Sequence, residues 1–416
     1  PGEATSTASR SRLAHIPGGP HVLREMRYHA LATDYDGTLT HTGTPDDETF
    51  AALERVRASG RKLVLVTGRG LDDLLRICPR IELFDQVVAE NGALLYEPAT
   101  RTKRPLAEPP PDALVEALRR RGVPDLTRGH VIVATHEPHE TTVLEVIREL
   151  GLEMQVIFNK GAVMVLPSGV NKAHGLEAAL AELGLSPHNT VAVGDAENDH
   201  ALLDRCECAV AVANALPRLK ERADLVTRGE AGAGVRELCA ALVADDLAKV
   251  ELDRHLLTIG TKEDGTPVTV PPYGPPMLIA GTSGGGKSTL ATSFLEQLAE
   301  RGYQYCIIDP EGDYRELEGT TVLGSADHAP GMDEVLEVLE SPGQNAVACL
   351  LGVPLADRPG FWSAFFPRLA EMRARTGRPH WILVDETHHL MPTDFSAGTI
   401  TLPRERMPTL RRRMGV

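Results

Sequence analysis

Long apolar runs are missing from this sequence. No stretch approaches the roughly 20 residues that a helix needs to cross a bilayer, so no membrane span is expected. The N-terminus also lacks a signal-peptide core, and a cytoplasmic location is the expectation. Cysteines are few and scattered through apolar stretches: Cys78, Cys206, Cys208, Cys239, Cys306 and Cys349. Only Cys206 and Cys208 are close, and no second pair exists to complete a zinc site. Buried free thiols in a reducing compartment are expected instead. Positive charge is in deficit as well. Lys and Arg number 43 against 58 Asp and Glu, a formal charge of -15, which argues against a broad nucleic-acid surface. No internal repeat at solenoid periods is visible.

What the chain does have is length and rhythm. Its 416 residues exceed one ordinary core, and 42% hydrophobic with 24% charged residues describe a globular protein of two domains. Short apolar runs alternate with amphipathic stretches, the pattern of α/β domains with parallel sheets. "KLVLV" (62–66), "VAV" (191–193) and "CAVAV" (208–212) read as buried strands. "DETFAALERVRASG" and "KAHGLEAALAELG" have helical spacing and end on glycine. Asn91-Gly92 inside "VVAENGALLYE" predicts a hairpin.

The expected organisation is a disordered tail over residues 1–25, then a first α/β domain over 26–245. A cap at about 97–168, with strands in "HVIVATHEP" and "AVMVLP" and a helix between them, interrupts that domain. Residues 246–275 read as a linker and hairpin, in which Asp264-Gly265 marks a turn. A second α/β domain, expected to be incomplete, occupies 276–416, with its first strand at "MLIAG".

Four fragments sit where strand ends belong: "DYDGT" with Asp34 and Asp36, "VTGR" with Thr67, "NK" with Lys172, and "GDAENDHALL" with Asp195 and Asp199. Ligands in open α/β sheets bind beyond the carboxyl ends of the strands, so the four can meet along one edge. Such a cluster supports phosphoryl transfer. Asp34 is the candidate nucleophile and Asp36 the acid and base. Thr67 would hold phosphoryl oxygens, and Lys172 would neutralise charge on nucleophile and phosphate. Asp34, Asp195 and Asp199, with Asp36 counted beside them, offer hard oxygen ligands for Mg²⁺. Asn198 either caps a helix or orients Asp195, and His136 and His139 belong to a polar surface turn rather than a substrate site.

These fragments, in this order over residues about 28 to 243, resemble the four motifs of the haloacid dehalogenase superfamily. "AENGALLY", "VLPSGVNK" and "AVANALPRLKERADLVT" followed by "GAGV" are similar to its Cof-type and sugar-phosphatase branch. The resemblance implies a Rossmann-like core with an inserted α/β cap, and a Mg²⁺-dependent phosphatase that works through an aspartyl-phosphate.

"MLIAGTSGGGKSTL" has the spacing G-x-x-x-x-G-K-S of a P-loop. Gly281, Gly284 and Gly286 would let backbone N–H groups wrap the phosphates of ATP, joined by Lys287, Ser288 and Thr289. Ser288 and Asp385 would meet Mg²⁺, and Glu386 in "HWILVDETHHL" would polarise an attacking water. With "YCIIDPEGDY" (305–314), the segment from about 255 to 392 resembles HerA/FtsK-type motor ATPases. That resemblance implies a further polar sensor strand and an arginine finger, and the sequence after His389 offers neither. Its arginines, Arg404, Arg406 and Arg411 to Arg413, read as a solvated tail.

The expectation is a capped phosphomonoesterase for a small phosphorylated metabolite of sugar-phosphate type, fused to an ATP-binding domain with slow turnover. Two rivals stay open: a nucleic-acid processing protein in which an ATP-driven motor feeds phosphorylated ends to the phosphatase, and a module in which ATP gates the phosphatase without turnover. A homo-oligomer formed through the P-loop domain stays open too.

Overall fold

The computed structural model describes residues 26–274, 276–282 and 284–391. The tail over 1–25 and the C-terminal arginines lie outside the described residues. Four of the apolar runs become adjacent parallel strands: Cys208–Ala211, Thr190–Gly194, Ala30–Thr33 and Lys62–Val66. Leu225–Val226 extends this sheet on one side. On the other, Gln86–Ala89 adds a parallel strand, and Leu94–Glu97 and Thr102–Pro105 follow antiparallel, making eight strands in all. The strands are apolar on both faces because helices cover both, as a parallel sheet requires.

The Asn91-Gly92 hairpin forms as the sequence predicts, with Asn91 at φ 56° and Gly92 at φ 102°. A side chain at Gly92 would place its Cβ 1.8 Å from the Asn171 carbonyl, so this turn packs directly on the start of the Lys172–Glu182 helix. Thr102–Pro105 falls inside the stretch expected to be cap, yet its backbone pairs with Leu94–Glu97 in the core sheet.

The inserted segment forms its own four-stranded antiparallel sheet, in the order Thr127–Arg128, Val133–His136, Ala162–Pro167, Met154–Asn159. The helices Asp112–Arg120 and Glu140–Glu149 bury Leu114, Leu118, Val143 and Val146 against it. Glu90 ties this layer to the core. Its fully buried carboxylate accepts from the backbone N–H of His130, Val131 and Ile132 at 2.8, 2.7 and 3.0 Å.

After the antiparallel hairpin Leu257–Thr261 and Pro267–Val270, a second parallel sheet runs Thr320–Leu323, Asn345–Cys349, Tyr305–Asp309, Trp381–Val384. Helices Lys287–Glu300, Met332–Glu340 and Arg358–Thr376 flank it, the layering of a P-loop α/β fold. The expected strand at "MLIAG" does not form, and residues 277–281 have no ladder partner among the described residues. Leu278 is 61% exposed there, so the run lacks the burial that would hold it in the sheet. No helix among the described residues is long and apolar enough to cross a membrane. The six cysteines are all buried and free.

Candidate active site

The carboxyl ends of two neighbouring strands bring the aspartates together. Asp34 follows Ala30–Thr33, Asp195 follows Thr190–Gly194, and Asp199 lies one turn on. One ligand oxygen from each of Asp34, Asp195 and Asp199 lies within 4.8 Å of the others, and all three residues are buried. Lys172, 1% exposed at the first turn of its helix, donates to Asp34 Oδ1 at 2.5 Å and to Asp199 Oδ1 at 2.6 Å. The other oxygen of Asp199 accepts from the backbone N–H of Asp195 and Ala196 at 2.9 and 3.0 Å. Asp199 therefore holds both Lys172 and the Asp195 turn.

Burial pushes the Asp34 carboxyl up to about 7, against the pull of the Lys172 ammonium and with help from Asp199 and Asp195. Burial also works to lower Lys172, but its two carboxylate partners prevail and hold it above the usual lysine value. Asp195 is raised by burial, opposed chiefly by Lys160.

Asp36 sits differently. Its carboxylate is gripped from both sides by Arg69, Nε to Oδ2 and a terminal nitrogen to Oδ1, each at 2.6 Å. Arg69 also donates to Asp73 at 2.6 Å. The side chain of Asp36 is thus committed to Arg69 and stands outside the cluster of Asp34, Asp195 and Asp199, while its carbonyl accepts from Lys160 at 2.8 Å. Thr67 is fully buried, and its hydroxyl accepts from the Arg69 N–H at 3.1 Å. Asn198 donates to Asn91 Oδ1 at 2.9 Å rather than to Asp195. His136 ends a cap strand in the open, consistent with a surface turn.

Sequence reasoning passed over two cations here. Arg69 was within reach, being the last residue of the quoted "VTGR". Lys160 had no local signal. It arrives from the cap, at the tip of the hairpin joining Met154–Asn159 to Ala162–Pro167, and donates to Asp195 Oδ2 at 2.7 Å and the Asp36 carbonyl at 2.8 Å. Thr38 supplies a further bond to Asp195 Oδ1 at 3.3 Å. Around the nearby Gly68 lie the amides of Asn159 and Asn198, and Asn91 Nδ2, Asn159 Oδ1 and Asn198 Oδ1 are buried with no protein partner.

Residues 31–124 and 130–238 match the family of haloacid dehalogenase-like hydrolases. A phosphoglycolate phosphatase of Methanothermobacter thermautotrophicus is 33% identical over 220 residues, which cover 50% of this chain and 96% of that protein. The chain belongs to the haloacid dehalogenase-like hydrolases. A phosphoglycolate phosphatase of Haloarcula marismortui is 32% identical over 219 residues, 50% of this chain and 95% of its own. A solved haloacid dehalogenase-like hydrolase from Bacteroides thetaiotaomicron aligns with 52% of the chain and 100% of its own length, at 19% identity and a TM-score of 0.44. Residues 274–348 of the hydrolase match a second family, the central domain of helicase HerA.

In that second region, Lys287 opens the helix Lys287–Glu300 behind Gly286, which is left-handed at φ 85°. Gly284 is left-handed too, at φ 74°, while Gly281, Ser288 and Thr289 are exposed. Lys287 Nζ reaches the Thr282 carbonyl at 3.3 Å. Asp385 and Glu386 follow Trp381–Val384, a strand joined to the same helix by the edge-on contact of Phe294 with Trp381 at 4.8 Å. Burial raises the Asp385 carboxyl, against the bond from the Glu386 N–H. Asp309 is spent on structure: it accepts from the N–H groups of Gly312 and Tyr314 at 2.7 and 3.0 Å and shapes their turn.

Proposed function

We propose that this hydrolase is a divalent-metal-dependent phosphomonoesterase for a small phosphorylated acid or sugar. The observation that carries the reading is the buried Lys172 bridging Asp34 and Asp199, with Asp195 alongside. Asp34 Oδ2 is left free of Lys172 to meet phosphorus. Its attack forms the aspartyl-phosphate while the P–O bond to the leaving group breaks. Asp36, once off Arg69, hands a proton to the leaving oxygen and then takes one from the water that frees Asp34 and phosphate. Lys172 holds the nucleophile in place and offsets charge on the phosphoryl group.

The donor set fits a hard cation such as Mg²⁺: buried carboxylate oxygens with a backbone carbonyl beside them. Asp34 and Asp195 would hold it, with Asp199 behind them. When bound, the ion supplies charge neutralisation for carboxylates and phosphate that would otherwise repel. The curated relatives, named as phosphoglycolate phosphatases, suggest a two-carbon phosphorylated acid as the first substrate to try, ahead of sugar phosphates. Unpaired amide atoms of Asn91, Asn159 and Asn198 at the seam of cap and core suit a small polar ligand.

For the second region we propose ATP binding at Gly281, Gly284, Gly286, Lys287, Ser288 and Thr289, with Asp385 toward Mg²⁺ and Glu386 toward water. The left-handed glycines ahead of an exposed helix N-terminus support it. The match to the HerA central domain favours a second reading, a nucleic-acid processing protein.

Phosphate release from 2-phosphoglycolate, sugar phosphates and 5′-phosphorylated DNA, with Mg²⁺ and with chelator, tests the proposal. Turnover on a small ester that Asp34→Asn abolishes is the expected result. No release from any substrate by the intact chain refutes it, and release from DNA alone selects the second reading. For the P-loop, Lys287→Ala should lose measurable ATP affinity in an equilibrium binding titration.

A further inference from the structure

Three cations reach the aspartates, and they differ in kind. Lys172 is buried with a carboxylate on each side, and Arg69 is committed to Asp36 and Asp73. Lys160 alone among them belongs to the cap, and its side chain keeps 46% of its exposure. Its ammonium lies between Asp195 Oδ2 and the Asp36 carbonyl, over Gly37, whose missing side chain makes the room. A Cβ at Gly37 would fall 2.3 Å from Asp195 Oδ2 and 2.4 Å from Lys160 Nζ.

The backbone that presents Lys160 is itself unusual. The two-residue turn Lys160-Gly161 has positive φ at both positions, 48° and 83°. Turns of this form favour Gly, which has no Cβ to clash in the left-handed conformation, or Asn and Asp, whose short polar side chains offset the strain with local hydrogen bonds. Here a lysine bears that strain, and it spans from cap to core to do so.

We infer that Lys160 is a positioning residue that competes with the divalent ion. It holds the cap against the core while its ammonium occupies the oxygens of Asp195 and Asp36, and a metal taking those oxygens must displace it. The inference rests on the metal-dependent reading above. The physical basis is exclusion: Asp195 Oδ2 and the Asp36 carbonyl cannot serve an ammonium at hydrogen-bond distance and a divalent ion at once, and like charges would repel. Metal affinity is then the intrinsic affinity reduced by the fraction of molecules in which Lys160 has left. The same exchange ties metal binding to release of the cap hairpin.

Calorimetric titration of Mg²⁺ and Mn²⁺ into chelator-stripped full chain tests this with wild type, Lys160→Met and Lys160→Arg. Lys160→Met should bind metal about ten-fold more tightly, the worth of losing one charge-assisted competitor. Lys160→Arg, which keeps the charge, should stay near wild type. Hydrogen–deuterium exchange gives a second readout: Mg²⁺ should speed exchange in residues 158–162 of the wild type and leave Lys160→Met unchanged. Equal or weaker metal binding by Lys160→Met overturns the inference while leaving the metal-dependent reading intact. Absence of metal binding in all three chains overturns both.

Discussion

Lys172 is where a single side chain decides most. Its ammonium is the direct counter-charge on Asp34 Oδ1 and Asp199 Oδ1, and all three groups are nearly or wholly buried. Removing it strands two carboxylates in a low-dielectric site, a loss of about 3–5 kcal/mol by analogy with other broken buried pairs. Lys172→Met, similar in volume, should therefore unfold at lower urea in chelator, and added Mg²⁺ should recover part of the loss. An unchanged urea midpoint would mean that solvent reaches this site. The residue was legible because "NK" opens a helix in the right order after two other strand-end motifs. Lys160 was not legible, because nothing near "NKGA" says that a cap hairpin folds back over Asp195. Arg69 lay between these cases: its motif was read, but its grip on Asp36 depends on side-chain directions that spacing alone does not fix.

At the level of elements, the apolar runs at Ala30–Thr33, Lys62–Val66, Thr190–Gly194 and Cys208–Ala211 became core strands because each is buried on both faces, a condition the residue types alone express. Met154–Asn159 escaped the reading since its residues are mostly half-exposed and it exists only by pairing with Ala162–Pro167. "MLIAG" failed in the opposite way, apolar in sequence yet without a sheet neighbour among the described residues. Between core and cap the decisive element is the turn that carries Glu90. Its two oxygens collect the backbone of residues 130–132 and the His130 ring, so one carboxylate fixes where the returning cap chain leaves the core. Glu90→Ala should free these N–H groups, raising hydrogen–deuterium exchange at 130–132 and costing about 2–3 kcal/mol for donors left unpaired. Turnover should fall with it, since the cap would no longer be held against Asp36 and Asp195 beside the nucleophile. Protection at 130–132 equal to wild type would show that backbone pairing alone anchors the cap.

Across the whole molecule the eight-stranded core sheet and the parallel sheet of the second region are joined by a buried polar network. Glu207, beyond the core helix that carries Leu202 and Leu203, accepts from Arg27 at 2.5 Å and from Tyr303 of the second region at 2.6 Å. The His188 ring bonds Glu207 at 2.8 Å through Nδ1 and the Arg301 carbonyl at 2.7 Å through Nε2, and stacks on Tyr303 at 3.6 Å. Arg378 donates to the Gly184 carbonyl at 2.6 Å and to Gln304 at 3.0 Å. His380 accepts from the Gln304 N–H and faces Asn189, the pattern of a neutral ring protonated at Nε2. Burial works to raise Glu207, but His188, Arg27 and His255 together hold it well below the usual carboxylate range. Burial also keeps His380 well below the usual histidine value.

Both shifts have the same sign for stability. A depressed carboxylate contributes above its unfolded pKa of roughly 4.3, and a depressed histidine above roughly 6.5; each contribution is lost as pH falls below those values. The junction should thus be firm at pH 7.5, weaken from about pH 6.5 downward as the His380 contribution goes, and weaken again in the carboxylate range. Glu207→Gln should cost about 3–5 kcal/mol at pH 7.5, because Arg27 and His188 lose a buried partner, and the gap to wild type should narrow at pH 3–4. Scanning calorimetry checks this. A wild type whose regions melt together at pH 7.5, against a Glu207→Gln chain whose transition splits or shifts down, is the expected pair of traces. Identical traces at every pH would mean that the apolar faces, not this network, join the sheets. The phosphatase site and the P-loop would then be coupled by packing alone, with no acid-labile link between them.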